Sequence, residues 1–140
     1  MLGDSKLQRF TPAPALNWAG RRRTWWFDEQ EHAFSRWAKS AGDLTAAGGR
    51  VALGSHSVLD GLGAHWELWA LATGMSNLEA LRIATQTSAD AMGLSRELGS
   101  IETGKLADLI VLTKNPLKDT HNTTSIRYAS RMAKFSRPTP

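Results

Sequence analysis

The 140-residue chain contains no cysteine, which excludes a disulfide framework and any thiolate metal site. It has no stretch near the roughly 18 consecutive apolar residues of a membrane helix, and a membrane partner is not expected. The first nine residues, Met-Leu-Gly-Asp-Ser-Lys-Leu-Gln-Arg, lack the apolar core of a secretory signal. The expectation is a chain without an export signal, cytoplasmic by default. Charge is sparse as well. Seventeen Lys and Arg against 13 Asp and Glu leave a net charge of +4, too weak to define a nucleic-acid binder. Histidine is limited to four residues, and no two of them form His-x-His. What the chain does have is tryptophan, six in all, which implies large apolar surfaces in need of cover.

Met1 to Trp26 shows little periodicity, and Pro12 and Pro14 interrupt it. Arg21, Arg22 and Arg23 precede Trp25, Trp26 and Phe27. Basic residues beside aromatics can form a nucleic-acid platform, but with so little net charge the better reading is side chains packed against a neighbouring surface. Asp28, with Glu31 three residues on, has the form of a capping box. Ala33, Phe34, Trp37, Ala38, Ala41 and Leu44 follow at helical spacing, and Gly48-Gly49 ends the run. This predicts a helix over Glu29–Ala47. His32 lies beside its apolar face and reads as a packing or surface histidine, since no second ligand is suitably spaced. Arg50–Gly54 reads as a short strand entering a loop. Ala64–Thr73 reads as an apolar helix. Ser76 with Glu79 makes a second capping box, and Ser88 is placed as the cap of a further short helix ending at Gly93.

The most informative stretch comes last. Two apolar runs flank the turn Glu102-Thr103-Gly104-Lys105, with a glycine placed late to supply a positive φ. The second run, Ala107 to Leu112, is almost wholly apolar, which predicts a strand buried on both faces. Such a hairpin needs a sheet to join and a layer to cover it. Asn115-Pro116 ends the strand. Asn122-Thr123-Thr124 fits the glycosylation acceptor pattern, given little weight without an export signal.

The run Gly-Ser-Ile-x-x-Gly-Lys-x-Ala-Asp-Leu-Ile-Val-Leu, starting at Gly99, resembles the C-terminal signature of the amidohydrolase superfamily of metal-dependent hydrolases. Val51–His56, Gly61-Leu-Gly-Ala-His65-Trp66-Glu67, Asn77–Thr85 and Ala89–Gly93 extend the likeness upstream, toward an imidazolonepropionase/prolidase-like branch. The resemblance implies an α/β fold: the C-terminal fragment of a (β/α)8 TIM barrel plus part of the adjoining small β-sandwich. It divides the chain into an irregular linker (1–27), the last barrel strand and helices (28–97), a hairpin and strand of the sandwich (98–128) and an atypical tail (129–140). A complete barrel takes roughly 200 residues or more, so the expectation is a truncated piece or a remnant. Relatives continue after Tyr128 with a closing strand such as Val-x-x-Asn-Gly-x-x-Tyr. Here Ala129 to Pro140 does not fit, and with permitted codons a shifted frame restores a similar strand, so an out-of-frame tail is one expectation.

The resemblance also implies a site. Active groups of a barrel lie where strands end, and Ser55 and His56 stand there. Where much of the superfamily has an aspartate that ligates the metal and takes a proton from water, this chain has His56. The imidazole can serve as metal ligand and proton carrier, or only donate hydrogen bonds within the loop. His65 and Glu67 read either as partners that orient such a ligand or as structural residues, Glu67 then being an acid in the first turn of its helix. The family's cofactor is a divalent metal, zinc above all. A catalytic zinc needs about three protein ligands, and His56 alone cannot hold one. Two readings follow. The first is a piece of a hydrolase acting on carbon–nitrogen bonds of an amide, a cyclic amide or a dipeptide-like substrate, inactive alone and completed by an N-terminal barrel portion. The second is a non-enzymatic remnant that self-associates or binds a partner.

Overall fold

The computed structural model describes residues 8–9, 11–21, 33–55 and 61–131. Within them the protein is mixed α/β, a layer of helices beside a small antiparallel sheet. Helix α1 spans Ala13–Arg21, where the sequence suggested no regular structure. Pro12 and Pro14 do not prevent it because they sit at its start, where a missing amide hydrogen leaves no bond unmade. The Pro12 carbonyl accepts from the Ala15 and Leu16 amides.

Helix α2 spans Phe34–Ala46, with Ala33 at its N-terminal boundary and no side chain capping it. The helix therefore begins later than the expected Glu29. Asp28, Glu31 and His32 lie outside the described residues. Helix α3 spans Leu62–Ala72, and Gly61 at φ +80° turns the chain into it. The two helices meet where side chains are smallest. A Cβ added to Gly74 would lie 2.3 Å from the Lys39 nitrogen and 2.5 Å from the Ala38 carbonyl carbon. Ala38 is buried in this contact, but Trp37 on the same helix is 76% exposed. The apolar face of α2 is thus only partly covered, contrary to the packing its periodicity suggested.

Helix α4, Asn77–Arg82, begins with the expected capping box, both arms of which are present. The Ser76 side chain accepts from the Glu79 amide, and the Glu79 carboxylate accepts from the Ser76 backbone. The Ser88 cap is corrected. The helix does not break there but continues through a π-turn, Ile83–Thr87, into α5, Ser88–Ala91. Ser88 sustains the wider turn: its amide and its hydroxyl both donate to the Ile83 carbonyl, the hydroxyl at 2.6 Å. Gly93, at φ +73°, ends the helix as expected. Ile83, 1% exposed, is the most deeply buried large side chain, packed with Leu68, Ala80 and Ala89 in the core.

The strand expected at Arg50–Gly54 is absent; residues 51–55 are irregular. A strand exists only through a neighbour's hydrogen bonds, and none is present among the described residues. The Leu53 amide instead donates to the Ser88 hydroxyl at 2.8 Å, and Arg50 pairs with Asp90 at 3.2 Å.

The hairpin expected over 98–112 is half correct. Its turn is present: Gly104 has φ +96°, and the Lys105 amide donates to the Glu102 carbonyl. Its first arm is not a strand. Gly99, at φ +92°, turns the chain against α5, where an added Cβ would lie 2.6 Å from the Ala89 methyl. The second arm, β1 at Leu109–Leu112, pairs instead with β2 at Ile126–Ser130, antiparallel, with Val111 opposite Tyr128 and Ile110 opposite Ala129. The pairing runs through Ala129 and Ser130, past the boundary set for the atypical tail. A 3₁₀ turn at Thr120–Thr124 leads into β2. The expectation of burial on both faces is not met. Ile110 is 47% exposed and Val111 44%, on opposite faces of the ribbon.

Candidate functional site

The richest polar arrangement forms where α3 meets the 3₁₀ turn. Leu62 opens α3, so His65 falls in the first turn and projects toward a segment 58 residues further along the chain. Its Nδ1 lies 2.9 Å from Thr123 Oγ1. One turn on, the Trp69 indole N–H is shared between the Thr120 carbonyl at 2.9 Å and Thr123 Oγ1 at 3.2 Å. The Thr123 hydroxyl itself donates to the Thr120 carbonyl at 2.8 Å. Thr120 and Thr123 are both buried. The opposite side of the knot is aromatic: the His121 ring lies 4.4 Å from the Trp69 ring, tilted by 32°, and its Nδ1 meets Asp119 at 2.8 Å. Asp119 caps the turn, accepting from the His121 amide. These bonds hold its carboxyl below the usual carboxylate range, the His121 amide first and the ring second. Burial lowers the pKa of His65 and so favours its neutral imidazole.

Of the sequence-predicted residues, His65 and Glu67 do not converge. Glu67 is two positions from His65, and residues so spaced project from different sides of a helix. It is exposed and does not share the Thr123 contact. It also does not lie in the first turn, which holds no acid because α3 begins at Leu62. His56 lies outside the described residues. Among the described residues, no group of three or more His, Asp or Glu side chains could hold a metal ion.

Two other features bear on function. A cleft of about 300 Å³ opens between α5 and the chain from Leu98 to Leu109, lined by Ala84, Ser88, Met92, Ile101 and Leu106 among others. At its rim Lys105 donates to Ser100 and Glu102. Lysine and serine in contact are the ingredients of a nucleophilic dyad, but the Ser100 hydroxyl gives its hydrogen to the Glu102 carboxylate and Lys105 donates to both groups, so these hydrogen bonds brace the turn. Asn122 of the glycosylation pattern uses its side-chain N–H to bond the Asn115 carbonyl at 2.9 Å, an arrangement that keeps that nitrogen occupied in the folded chain.

Sequence reasoning named His65 but missed Thr123, Trp69 and Thr120 as its companions. The Trp69 indole hinted at a partner, since a buried indole N–H needs one, but nothing local identified which.

The model of the Amidohydrolase family matches residues 33–135. The crystal structure of an uncharacterised protein is similar, with 30% sequence identity and a TM-score of 0.58 over 69% of this chain and 25% of that one. The chain thus spans about a quarter of the length of that solved relative. No curated protein matches.

Proposed function

Because the chain belongs to the amidohydrolase family, we propose that it works as the C-terminal part of a metal-dependent hydrolase acting on carbon–nitrogen bonds, in the imidazolonepropionase/prolidase-like branch, and that it is inactive until completed. The observation that carries this reading is the β1–β2 ribbon. Leu109-Ile110-Val111-Leu112 is apolar without alternation, the pattern of a strand covered on both sides. Yet Ile110 and Val111 are each nearly half exposed, and Tyr128 opposite Val111 is 60% exposed. A two-stranded ribbon is marginal in water by itself. The residues are those of a sheet interior, and the covering layer is not among the described residues.

The upstream part of such a hydrolase would supply the remaining barrel strands, the strand neighbours that residues 51–55 do not find among the described residues, and the ligands for a divalent metal, zinc in this proposal. That metal would activate water for hydrolysis. His56, His65 and Glu67 would be this chain's contribution near the reacting centre, His56 closest to the metal and the other two as orienting groups. Substrates would be amides, cyclic amides or dipeptide-like compounds. The barrel fragment and sandwich assignments, the truncation and the shifted frame of residues 129–140 belong to the same proposal.

The test is complementation. The chain is co-expressed with the polypeptide encoded upstream of Met1, or with the portion of the solved relative that this chain does not match. Co-purification of a stable complex that binds zinc and hydrolyses amide substrates supports the reading. Two parts that ignore each other, with no hydrolysis, refute it. The exposed Trp37, Ile110, Val111 and Tyr128 also favour a second reading, a partner-binding or self-associating remnant. It predicts defined oligomers of the chain alone, unaffected by the upstream part.

A further inference from the structure

The hydrogen bonds around Thr123 determine more than packing. A threonine hydroxyl has one hydrogen and two lone pairs. Thr123 spends that hydrogen on the Thr120 carbonyl at 2.8 Å. Its oxygen is then left to accept, and two nitrogens approach it. One is the Trp69 indole, which can only donate. The other is His65 Nδ1, at 2.9 Å. With its hydrogen spent, the oxygen offers only lone pairs, which accept, so His65 must meet it with an N–H.

We infer that Thr123 holds His65 as the Nδ1–H tautomer, so that His65 Nε2 carries a bare lone pair and serves as a hydrogen-bond acceptor for a protic group of a ligand or completing chain. His65 is half-buried, and its ring stays neutral because burial disfavours the imidazolium. A neutral ring with Nδ1 protonated and Nε2 bare accepts a hydrogen bond or a proton and cannot act as an acid. Thr123 is the positioning residue and His65 the group it positions. The arrangement joins the first turn of α3 to the segment that enters β2, so a residue in the 3₁₀ turn before β2 decides which nitrogen of a helix histidine is available. This goes beyond the hydrolase reading and rests on hydrogen-bond geometry alone; it stands or falls whether or not the chain is part of a hydrolase.

The experiment is long-range proton–nitrogen correlation of the histidine rings in the ¹⁵N-labelled full chain at pH 7.5, with His65 assigned through His65→Asn. The expected result is a predominantly Nδ1-protonated ring at His65. Thr123→Val removes the acceptor and shifts the ring toward the Nε2–H form, whereas Thr123→Ser, which keeps the hydroxyl, retains the wild-type tautomer. If Thr123→Val does not fold, the wild-type and Thr123→Ser spectra decide. An Nε2-protonated ring in the wild type overturns the inference, and so does a ring unchanged in folded Thr123→Val. A purely structural role for Thr123 would alter stability without moving the tautomer. As a second readout, diethyl pyrocarbonate, which attacks bare imidazole nitrogen, is expected to modify His65 in the folded wild type at neutral pH. A His65 that stays unmodified while the unfolded chain reacts would rule out an available Nε2.

Discussion

Trp69 and Thr120 are joined by an indole N–H to carbonyl bond of 2.9 Å across 51 residues of sequence. The bond ties α3, in the helical layer, to the turn that launches β2. The Thr120 carbonyl keeps a second donor in the Thr123 hydroxyl, so removing the indole N–H does not orphan it. The replacement Trp69→Phe keeps an aromatic ring at this position and loses the shared donor. A net intramolecular hydrogen bond contributes about 1 kcal/mol, and a comparable loss of unfolding free energy is expected in urea titration. A change below a few tenths of that would mean that the two layers are held by burial alone.

Gly74 decides how closely α2 and α3 approach. An added Cβ would meet Lys39 and Ala38 backbone atoms, not a flexible side-chain end. The backbone must move to relieve it. Overpacking of this kind costs roughly 1–3 kcal/mol, so Gly74→Ala is expected to lower the thermal midpoint by several degrees. Gly42→Ala at the same crossing meets its neighbours at an ordinary 3.6 Å and lies within α2, where alanine is the better helix former, so it serves as the control that should hold or raise the midpoint.

The capping box at Ser76 is reciprocal, so its loss should show at both ends. Ser76→Ala removes the acceptor for the Glu79 amide and the hydroxyl that meets Glu79 at 2.6 Å. Loss of a serine cap costs about 1 kcal/mol. Hydrogen exchange should speed up in the first turn of α4 before it does so at the buried Ile83.

How readily each feature could be read from sequence followed from the distance between its partners. Ser76 and Glu79 are three residues apart, and Glu102 to Lys105 is one turn around Gly104; both were legible because the cause is local. The early start of α3 was missed since Gly61, its hinge, reads equally as loop. The π-turn was missed because a serine at position 88 looks the same whether it caps a new helix or bonds back to Ile83. The pairing of β1 with β2 and the meeting of His65 with Thr123 join residues far apart in sequence, and composition carries no address for such contacts. The family signature was the exception: it is a long string of residues in one place, and it proved the most informative part of the chain.

Acid should destabilise the fold in two steps. His65 has a folded-state pKa below its usual 6.5, through burial. The unfolded chain therefore takes up this proton first, and stability present above pH 6.5 falls as the pH descends from there to the folded-state value. Glu79 and Glu102 are depressed below their usual 4.5, chiefly by hydrogen bonds from Ser76 and Ser100 respectively. Asp119 is depressed below 3.8. Their contribution is present above those usual values and is lost as the pH falls through the folded-state ones. All three are exposed, so the lower step is shallow. Denaturation midpoints measured from pH 8 to pH 3 should show both steps, and His65→Gln should remove only the upper one. A single transition near pH 4 in wild type would mean that the His65 environment does not distinguish folded from unfolded chain.

The central claim is that this chain is one part of a hydrolase and does not hydrolyse by itself. Light scattering after gel filtration, combined with elemental analysis of the same fractions, tests it most directly. The account predicts that the purified chain carries no stoichiometric metal, forms no defined oligomer by itself, and enters a metal-containing complex when the upstream part is added. A monodisperse monomer containing one equivalent of zinc and cleaving an amide would contradict it.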